Sequence, residues 1–225
     1  MVKPNDWAVL FDMDGVLIDS EPAHEAAINE AIVQFGLEPF TKAIFERYFY
    51  GRTDYSGFVD YLTAIDRLDL TIADLMAATA TAYERRFASD VRGYPDALDA
   101  LRAAATRGYR VAIVSGARNR EIELVVARFE LAPYLTAIVG GDDVPTGKPD
   151  PAPYLAGANR LDTPAEHCIV IEDSPAGIAS ARAANMRCLA AQRSRDPAQL
   201  ADATRIVETV TIEAIEELME QVKNT

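Results

Sequence analysis

The sequence has few cysteines and no long hydrophobic run. Its two cysteines, Cys168 and Cys188, each lie in apolar surroundings, which gives little basis for a disulfide framework. Both are predicted to be small core residues, and a reducing, cytoplasmic setting is expected. The first apolar stretch, residues 7–11, is too short and too acidic at its end for a signal peptide. No stretch has the length of a membrane helix, so no membrane association is expected.

Basic residues are also in deficit. Lys and Arg number 22 against 35 Asp and Glu, so the formal net charge is −13. This balance argues against a nucleic-acid partner, because a phosphate backbone requires a basic binding surface. With 225 residues, of which 49% are hydrophobic, the chain is predicted to form one sizeable globular core and a smaller appended unit. The oligomeric state stays open, and a monomer is compatible with the sequence.

The most informative segment follows the apolar run at residues 7–11. It reads Asp12-Met13-Asp14-Gly15. Residues two apart in a strand point to the same side, so Asp12 and Asp14 are predicted to face one site. Two ionised carboxylates there would repel each other, and a Mg²⁺ ion would remove the conflict while leaving positions open for phosphate oxygens. The alternative is that the two aspartates simply cap the turn.

Polar groups follow two further strand-like runs. Residues 111–114 lead to Ser115, residues 168–171 lead to Glu172 and Asp173, and Lys148 lies in a proline-rich loop between them. Ligands of open parallel α/β sheets bind beyond the carboxyl ends of the strands, so these groups are predicted to form one site. Each has a plain structural alternative: a helix cap for Ser115, a helix N-terminus that favours the negative charge of Glu172 and Asp173, and a solvated loop position for Lys148.

The order of the predicted elements indicates two units. From Tyr94 onward helices and strands alternate, which predicts a parallel sheet covered on both faces. Between residues 20 and 90 the strand pattern disappears, and helical segments follow instead. The first covers residues 23–35 and ends at Gly36, and a later one follows residues 71–74, which fit a capping box. Proline near both crossings, at residues 20–22 and 91–95, is typical of connections between units.

The sequence resembles the haloacid dehalogenase superfamily of phosphotransferases. Residues 12–16 match its first motif, Ser115 its second, Lys148 its third, and Glu172 with Asp173 its fourth. The residues around the third and fourth motifs resemble the branch with β-phosphoglucomutase and many small-metabolite phosphatases. The resemblance implies an α/β Rossmann-like core (residues 1–19 and 92–225) with an inserted all-helical cap (residues 20–91).

The motifs assign roles to the site residues. Asp12 is the proposed nucleophile, Asp14 the proton donor and acceptor, and Lys148 a positive charge against the transferred phosphoryl group. The family's Mg²⁺ ligands correspond to Asp12, the main-chain carbonyl of Asp14, Glu172 and Asp173. Further residues are predicted to contact the phosphate or the rest of the substrate. They are Ser115, Gly116, Ala117, Arg118, Asn119, Lys148, His24 and Arg52. For His24 and Arg52 an ordinary surface position is the alternative.

These residues favour a Mg²⁺-dependent phosphatase that acts on a small phosphorylated metabolite of the sugar or polyol phosphate class. A β-phosphoglucomutase-type mutase is the first alternative, but residues 77–81 lack the lysine that its pattern predicts. Dehalogenation does not require Asp14, and a phosphonatase would need a cap lysine, for which Lys42 has an unconvincing context. A non-catalytic binding module of the same fold is the alternative from another class.

Overall fold

The computed structural model describes residues 6–49, 54–193 and 196–222. The chain divides into two compact units, Met1–Asp19 with Arg92–Thr225, and Ser20–Val91. We refer to the first as the α/β unit and to the second as the helical insert. None of the helices in the described ranges combines the length and the apolar character that crossing a membrane requires.

The α/β unit is built on a parallel sheet. Its strands are β1 (Ala8–Phe11), β4 (Arg110–Val114), β5 (Ala137–Val139), β6 (Cys168–Glu172), β7 (Arg187–Ala191) and β8 (Arg205–Val207). They lie in the order β5-β4-β1-β6-β7-β8, and every neighbouring pair is parallel. The helices of this unit are α5 (Pro95–Thr106), α6 (Asn119–Arg128), α7 (Ala152–Arg160), α8 (Pro175–Ala183) and α9 (Ile212–Val222). This arrangement confirms the predicted α/β fold.

The central strands are buried because helices cover both faces of the sheet. Every residue of β1 and β6 is buried, and Leu10 of β1 lies opposite Ala112 and Val170. Such strands read as continuous apolar runs, which made them recognisable in the sequence. Both cysteines are buried free thiols, as predicted.

Two features of the sheet region were not predicted. The edge strand β8 has three residues, all half-buried, and its two apolar residues are too few to identify a strand in the sequence. A second, antiparallel pair consists of β2 (Ile18–Asp19) and β3 (Arg92–Gly93), each of two residues. These two strands are the last and first residues of the α/β unit on either side of the helical insert.

The helical insert contains α1 (Glu21–Val33), α2 (Lys42–Tyr48), α3 (Asp54–Ala64) and α4 (Ile72–Asp90). Helix α1 begins two residues earlier than predicted, since Pro22 lies in its first turn, where proline needs no hydrogen-bond donor. The predicted capping box before α4 is wrong: Thr71 is the N-cap residue but makes no side-chain capping hydrogen bond. The core of the insert combines aliphatic residues with four phenylalanines, Phe40, Phe45, Phe49 and Phe58, that are buried together.

Candidate active site

The candidate site lies at the carboxyl ends of three adjacent strands. Asp12 follows β1, Ser115 follows β4, and Glu172 is the last residue of β6. The main-chain N–H of Asp12 donates to the carbonyl of Ile171 at 2.9 Å, which fixes Asp12 beside the end of β6. Strand β1 has its partners β4 and β6 on opposite sides, so this is a topological switch point of the sheet.

Lys148 joins these strand ends. Its Nζ donates to Asp12 Oδ1 at 2.6 Å, to Glu172 Oε1 at 2.7 Å and to the Val114 carbonyl, the last of β4, at 3.1 Å. Only 12% of the lysine side chain is exposed, so these three acceptors replace water. The lysine is therefore a fixed charge rather than a solvated one.

Glu172 is completely buried and accepts hydrogen bonds on both oxygens. Lys148 and the Tyr154 hydroxyl, at 2.8 Å, donate to Oε1. The main-chain N–H groups of Asp173 and Ser174 and the Ser174 hydroxyl donate to Oε2, at 2.9, 3.0 and 2.9 Å. Ser174 also caps α8, because its hydroxyl accepts from the Gly177 N–H at 3.0 Å. These donors hold the glutamate carboxylate in one orientation.

The buried charges shift one another's pKa values. Burial, with the nearby Glu172 and Asp173 carboxylates, raises the pKa of Asp12 well above its usual range, although Lys148 opposes the change. Burial alone would lower the pKa of Lys148, but the Asp12 and Glu172 carboxylates outweigh it and raise that pKa. Burial also disfavours the ionised form of Glu172, yet Lys148 and the hydrogen bonds leave its pKa below the usual value. The site thus holds more negative charge than Lys148 neutralises.

The carboxylates fit a divalent cation. Asp12, Glu172 and Asp173 each offer an oxygen, and the three oxygens lie within 4.8 Å of one another. All three residues are at least nine-tenths buried, with exposed fractions of 8%, 0% and 8%. Oxygen ligands and excess negative charge suit Mg²⁺. Because Glu172 has no exposed surface while Asp12 and Asp173 each retain some, Asp12 and Asp173 are the side chains more accessible to an ion.

Asp14 and Gly15 form a tight turn beside these carboxylates. The Met13 carbonyl accepts from the Leu17 N–H at 2.9 Å, and the Gly15 N–H donates to the Ile18 carbonyl at 2.8 Å. Gly15 has φ +81°, and a Cβ there would lie 2.2 Å from Asp173 Oδ2. Glycine is therefore required both by the backbone and by the space that Asp173 occupies. Asp14 is half-buried, and its side chain is not a member of the group of three carboxylates.

Ser115 and the residues after it form the other wall of the site. Ser115 is buried, and its hydroxyl accepts from the Ala117 N–H at 3.0 Å, while Gly116 is exposed. The exposed Arg118 precedes α6, and its N–H donates to Glu121 at 2.8 Å. The N–H of Asn119 donates to Asp142 Oδ1 at 3.0 Å. The structure thus brings Ser115 next to the lysine-bound end of β4, while the Asn119 main chain is directed to a neighbouring acidic loop.

His24 and Arg52, the two substrate contacts predicted in the helical insert, belong to the other compact unit of the chain. His24 Nε2 lies 2.9 Å from Asp54 Oδ2, and the His24 ring lies edge-on to Tyr83 with 5.5 Å between centroids. Arg52 lies outside the described residues. His167, the other histidine of the sequence, lies in the α/β unit and stacks on Trp7 with 5.0 Å between ring centroids.

Sequence reasoning missed Tyr154. It lies in α7, is completely buried and reaches Glu172 through its hydroxyl. The available signal was its position six residues after Lys148, in a helix that packs on the sheet. A buried tyrosine hydroxyl normally requires a hydrogen-bond partner, but the sequence does not indicate which one.

Residues 8–185 match the family described as haloacid dehalogenase-like hydrolase. The chain is 30% identical to the phosphorylated carbohydrates phosphatase of Thermotoga maritima over 80% of its own length and 82% of that protein. It is 32% identical to the chloroplastic protein SUPPRESSOR OF QUENCHING 1 of Arabidopsis thaliana over 90% of its length, but spans only 20% of that protein.

Its structure is also similar to the crystal structure of a Thermotoga maritima protein proposed to be a β-phosphoglucomutase. The TM-score is 0.79 and the sequence identity 27%, over 96% of this chain and 99% of that one. The match of the family along most of the chain agrees with the motifs at the strand ends. The chain therefore belongs to the haloacid dehalogenase-like hydrolase family.

Proposed function

We propose that the protein is a Mg²⁺-dependent phosphatase of a small phosphorylated metabolite, of the sugar or polyol phosphate class, and that it acts through an aspartyl-phosphate on Asp12. The observation that carries the proposal is the meeting of Asp12, Lys148, Glu172 and Asp173 in one buried cluster. Phosphoryl transfer is catalysed mainly by positioning and charge neutralisation, which such a cluster supplies. The similarity to a phosphorylated carbohydrates phosphatase supports the substrate class.

In the first step an Asp12 carboxylate oxygen attacks phosphorus. The new O–P bond forms as the bond from phosphorus to the ester oxygen breaks, and Asp14 gives its proton to that oxygen, so the alcohol leaves. In the second step Asp14 takes a proton from water, the water oxygen attacks phosphorus, and the Asp12–phosphorus bond breaks. Inorganic phosphate leaves, and both aspartates return to their starting forms.

The other residues bind charge and fix positions. Lys148 offsets negative charge on the phosphoryl oxygens and on Asp12. The Ser115 hydroxyl, which accepts from Ala117 and keeps its own proton to donate, binds a phosphoryl oxygen together with the Gly116 N–H. Asp12, Asp173 and the Asp14 carbonyl would hold Mg²⁺, with Glu172 adding negative charge close by. The ion would supply electrostatic stabilisation of the phosphoryl oxygens and of the Asp12 carboxylate.

The test is hydrolysis of p-nitrophenyl phosphate and of a panel of sugar and polyol phosphates, with Mg²⁺ or with EDTA. We expect Mg²⁺-dependent turnover that falls at least about a thousandfold in Asp12→Asn, because the nucleophile is lost. Asp202→Asn is the matched control, since the Asp202 side chain is 78% exposed and pairs with Arg182. Turnover in Asp12→Asn equal to wild type would remove the nucleophile assignment, and a wild type without turnover on any substrate would favour the binding-module alternative.

A hexose phosphate mutase is the second candidate, favoured by the similarity to the proposed β-phosphoglucomutase. It differs in the acceptor of the phosphoryl group, which would be a second sugar hydroxyl instead of water. Residues 77–81 of α4 contain no lysine for a distal phosphate. Incubation with β-glucose 1-phosphate and a bisphosphate activator separates the two: free phosphate supports the phosphatase, and glucose 6-phosphate supports the mutase.

A further inference from the structure

Tyr154 contacts both members of the central ion pair. Its hydroxyl donates to Glu172 Oε1 at 2.8 Å, the same oxygen that accepts from Lys148 at 2.7 Å. Its ring also lies against the lysine, with 4.7 Å between Lys148 Nζ and the ring centroid. One side chain therefore acts on the ammonium group directly and through its counter-ion.

The ring alone would satisfy the packing at this position. Tyr154 belongs to the core cluster formed by sheet and helix residues such as Leu10, Val114 and Val170, and none of its surface is exposed. Phenylalanine would fill the same apolar space, whereas a buried hydroxyl costs free energy unless it is hydrogen-bonded. The hydrogen bond to the Glu172 carboxylate is therefore what offsets the cost of burying this hydroxyl. Hydrogen bonds to a charged group are the stronger kind.

We propose that Tyr154 is a positioning residue that holds Lys148 against Asp12. The ring attracts the ammonium group through its negative face, and the hydroxyl shares the charge of Glu172 Oε1. If the hydroxyl is removed, this oxygen carries more uncompensated charge and draws Lys148 toward Glu172. Less of the lysine charge is then available to Asp12 and to the transferred phosphoryl group. The effect on turnover rests on the proposed phosphatase function, whereas the effect on Lys148 does not.

The chain offers a matched control for the loss of this hydroxyl. Tyr109, in the same unit, donates through its hydroxyl to Glu216 Oε1 at 2.9 Å. Tyr154→Phe and Tyr109→Phe therefore each remove one tyrosine–glutamate hydrogen bond and keep the ring. We expect kcat to fall about tenfold in Tyr154→Phe with KM within about twofold, and to change less than about twofold in Tyr109→Phe. In Tyr154→Leu, which also loses the ring, we expect kcat to fall further than in Tyr154→Phe.

Lys148 itself provides a readout that needs no turnover. The sequence contains four lysines, so the side-chain ammonium signals in a ¹H–¹⁵N NMR spectrum can be assigned individually, and Lys148→Arg identifies the signal of interest. We expect the Lys148 signal to shift in Tyr154→Phe and to stay in place in Tyr109→Phe. If the Tyr154 hydroxyl served only the stability of the fold, Tyr154→Phe would lower the stability of the protein and leave the Lys148 signal in place.

The two measurements separate the possible failures. If the wild type is inactive, the proposed function fails, and the NMR signal alone decides whether Tyr154 positions Lys148. An unmoved Lys148 signal in Tyr154→Phe overturns the proposal. So does an active Tyr154→Phe with wild-type kcat, because the contact would then have no catalytic consequence.

Discussion

The α/β unit buries its central charges, whereas the helical insert keeps its ion pairs near the surface. Lys148 and Glu172 are 12% and 0% exposed, while Arg85 and Glu30 of the insert are 63% and 30% exposed. Exposed ion pairs contribute little to stability, and buried ones repay their desolvation only with several hydrogen bonds. Charges buried together at strand ends are therefore better explained by function than by stability.

The hydrophobic cores of the two units also differ in composition. The insert packs aromatic rings against one another, with 4.4 Å between the centroids of Phe40 and Tyr61. The sheet of the α/β unit packs aliphatic strands against helices, and its one large buried tyrosine, Tyr154 among the described residues, points a hydroxyl at the site. The comparison predicts that substitutions in the buried charge cluster of the α/β unit reduce activity, whereas substitutions in the aromatic core of the insert reduce stability.

Two glycines provide the sharpest form of this comparison. Gly15 and Gly36 have φ of +81° and +74°, but a Cβ at Gly36 would meet nothing within 4 Å. Gly36→Ala is expected to cost about 1 kcal/mol of stability from backbone strain alone and to leave kcat unchanged. Gly15→Ala adds a collision with the Asp173 carboxylate, and we expect activity to fall by at least about a hundredfold. Urea unfolding and phosphatase assays measure both effects; equal activity in the two variants would contradict the importance of Asp173.

A smaller effect is expected from two arginine-paired carboxylates, Asp96 in the α/β unit and Glu30 in the insert. Asp96 accepts from Arg193 at 3.0 and 3.1 Å and from the Val210 N–H at 2.8 Å, and Arg193 also donates to the Val16 carbonyl at 3.3 Å. Burial raises the pKa of Asp96, but these hydrogen bonds outweigh it and leave that pKa below the usual value. Hydrogen bonds from Arg86 and Arg85 lower the pKa of the half-buried Glu30 in the insert.

A lowered folded-state pKa stabilises the protein above the unfolded-state pKa, and this contribution is lost as the pH falls through the folded-state value. We expect Asp96→Asn to cost about 2 kcal/mol at pH 7 and less at pH 3. Glu30→Gln should change stability less, since its pair is more exposed. Urea unfolding at both pH values checks this; a larger loss in Glu30→Gln would reverse the comparison between the units.

Much of the candidate site could be predicted because its residues lie next to recognisable strands in the sequence. Asp12, Ser115 and Glu172 each stand directly after an apolar run, and parallel strands necessarily bring such ends to one edge. Lys148 was predicted in the site from its proline-rich loop between these strands, but its three acceptors were not predicted, since a loop has no periodic pattern that fixes the direction of a side chain. Tyr154 was missed because periodicity identifies a core residue but not the direction of its hydroxyl.

The insert was predictable as helices but not in its polar contacts. His24 meets Asp54, thirty residues away, through a tertiary contact that no local pattern records. The predicted start of α1 was two residues too late, because the prediction assigned Pro22 to the connection between the units, whereas proline also fits the first turn of a helix. The two-residue strands β2 and β3 are too short for any alternation of polar and apolar residues.

The most direct test of the central claim is chemical trapping of the phosphorylated residue. The protein is mixed with Mg²⁺ and a substrate, quenched in acid during turnover, and reduced with borohydride, which converts an aspartyl-phosphate to homoserine. Peptide mass spectrometry should then find homoserine at position 12. Homoserine at another acidic residue, or none during rapid turnover, would contradict the account.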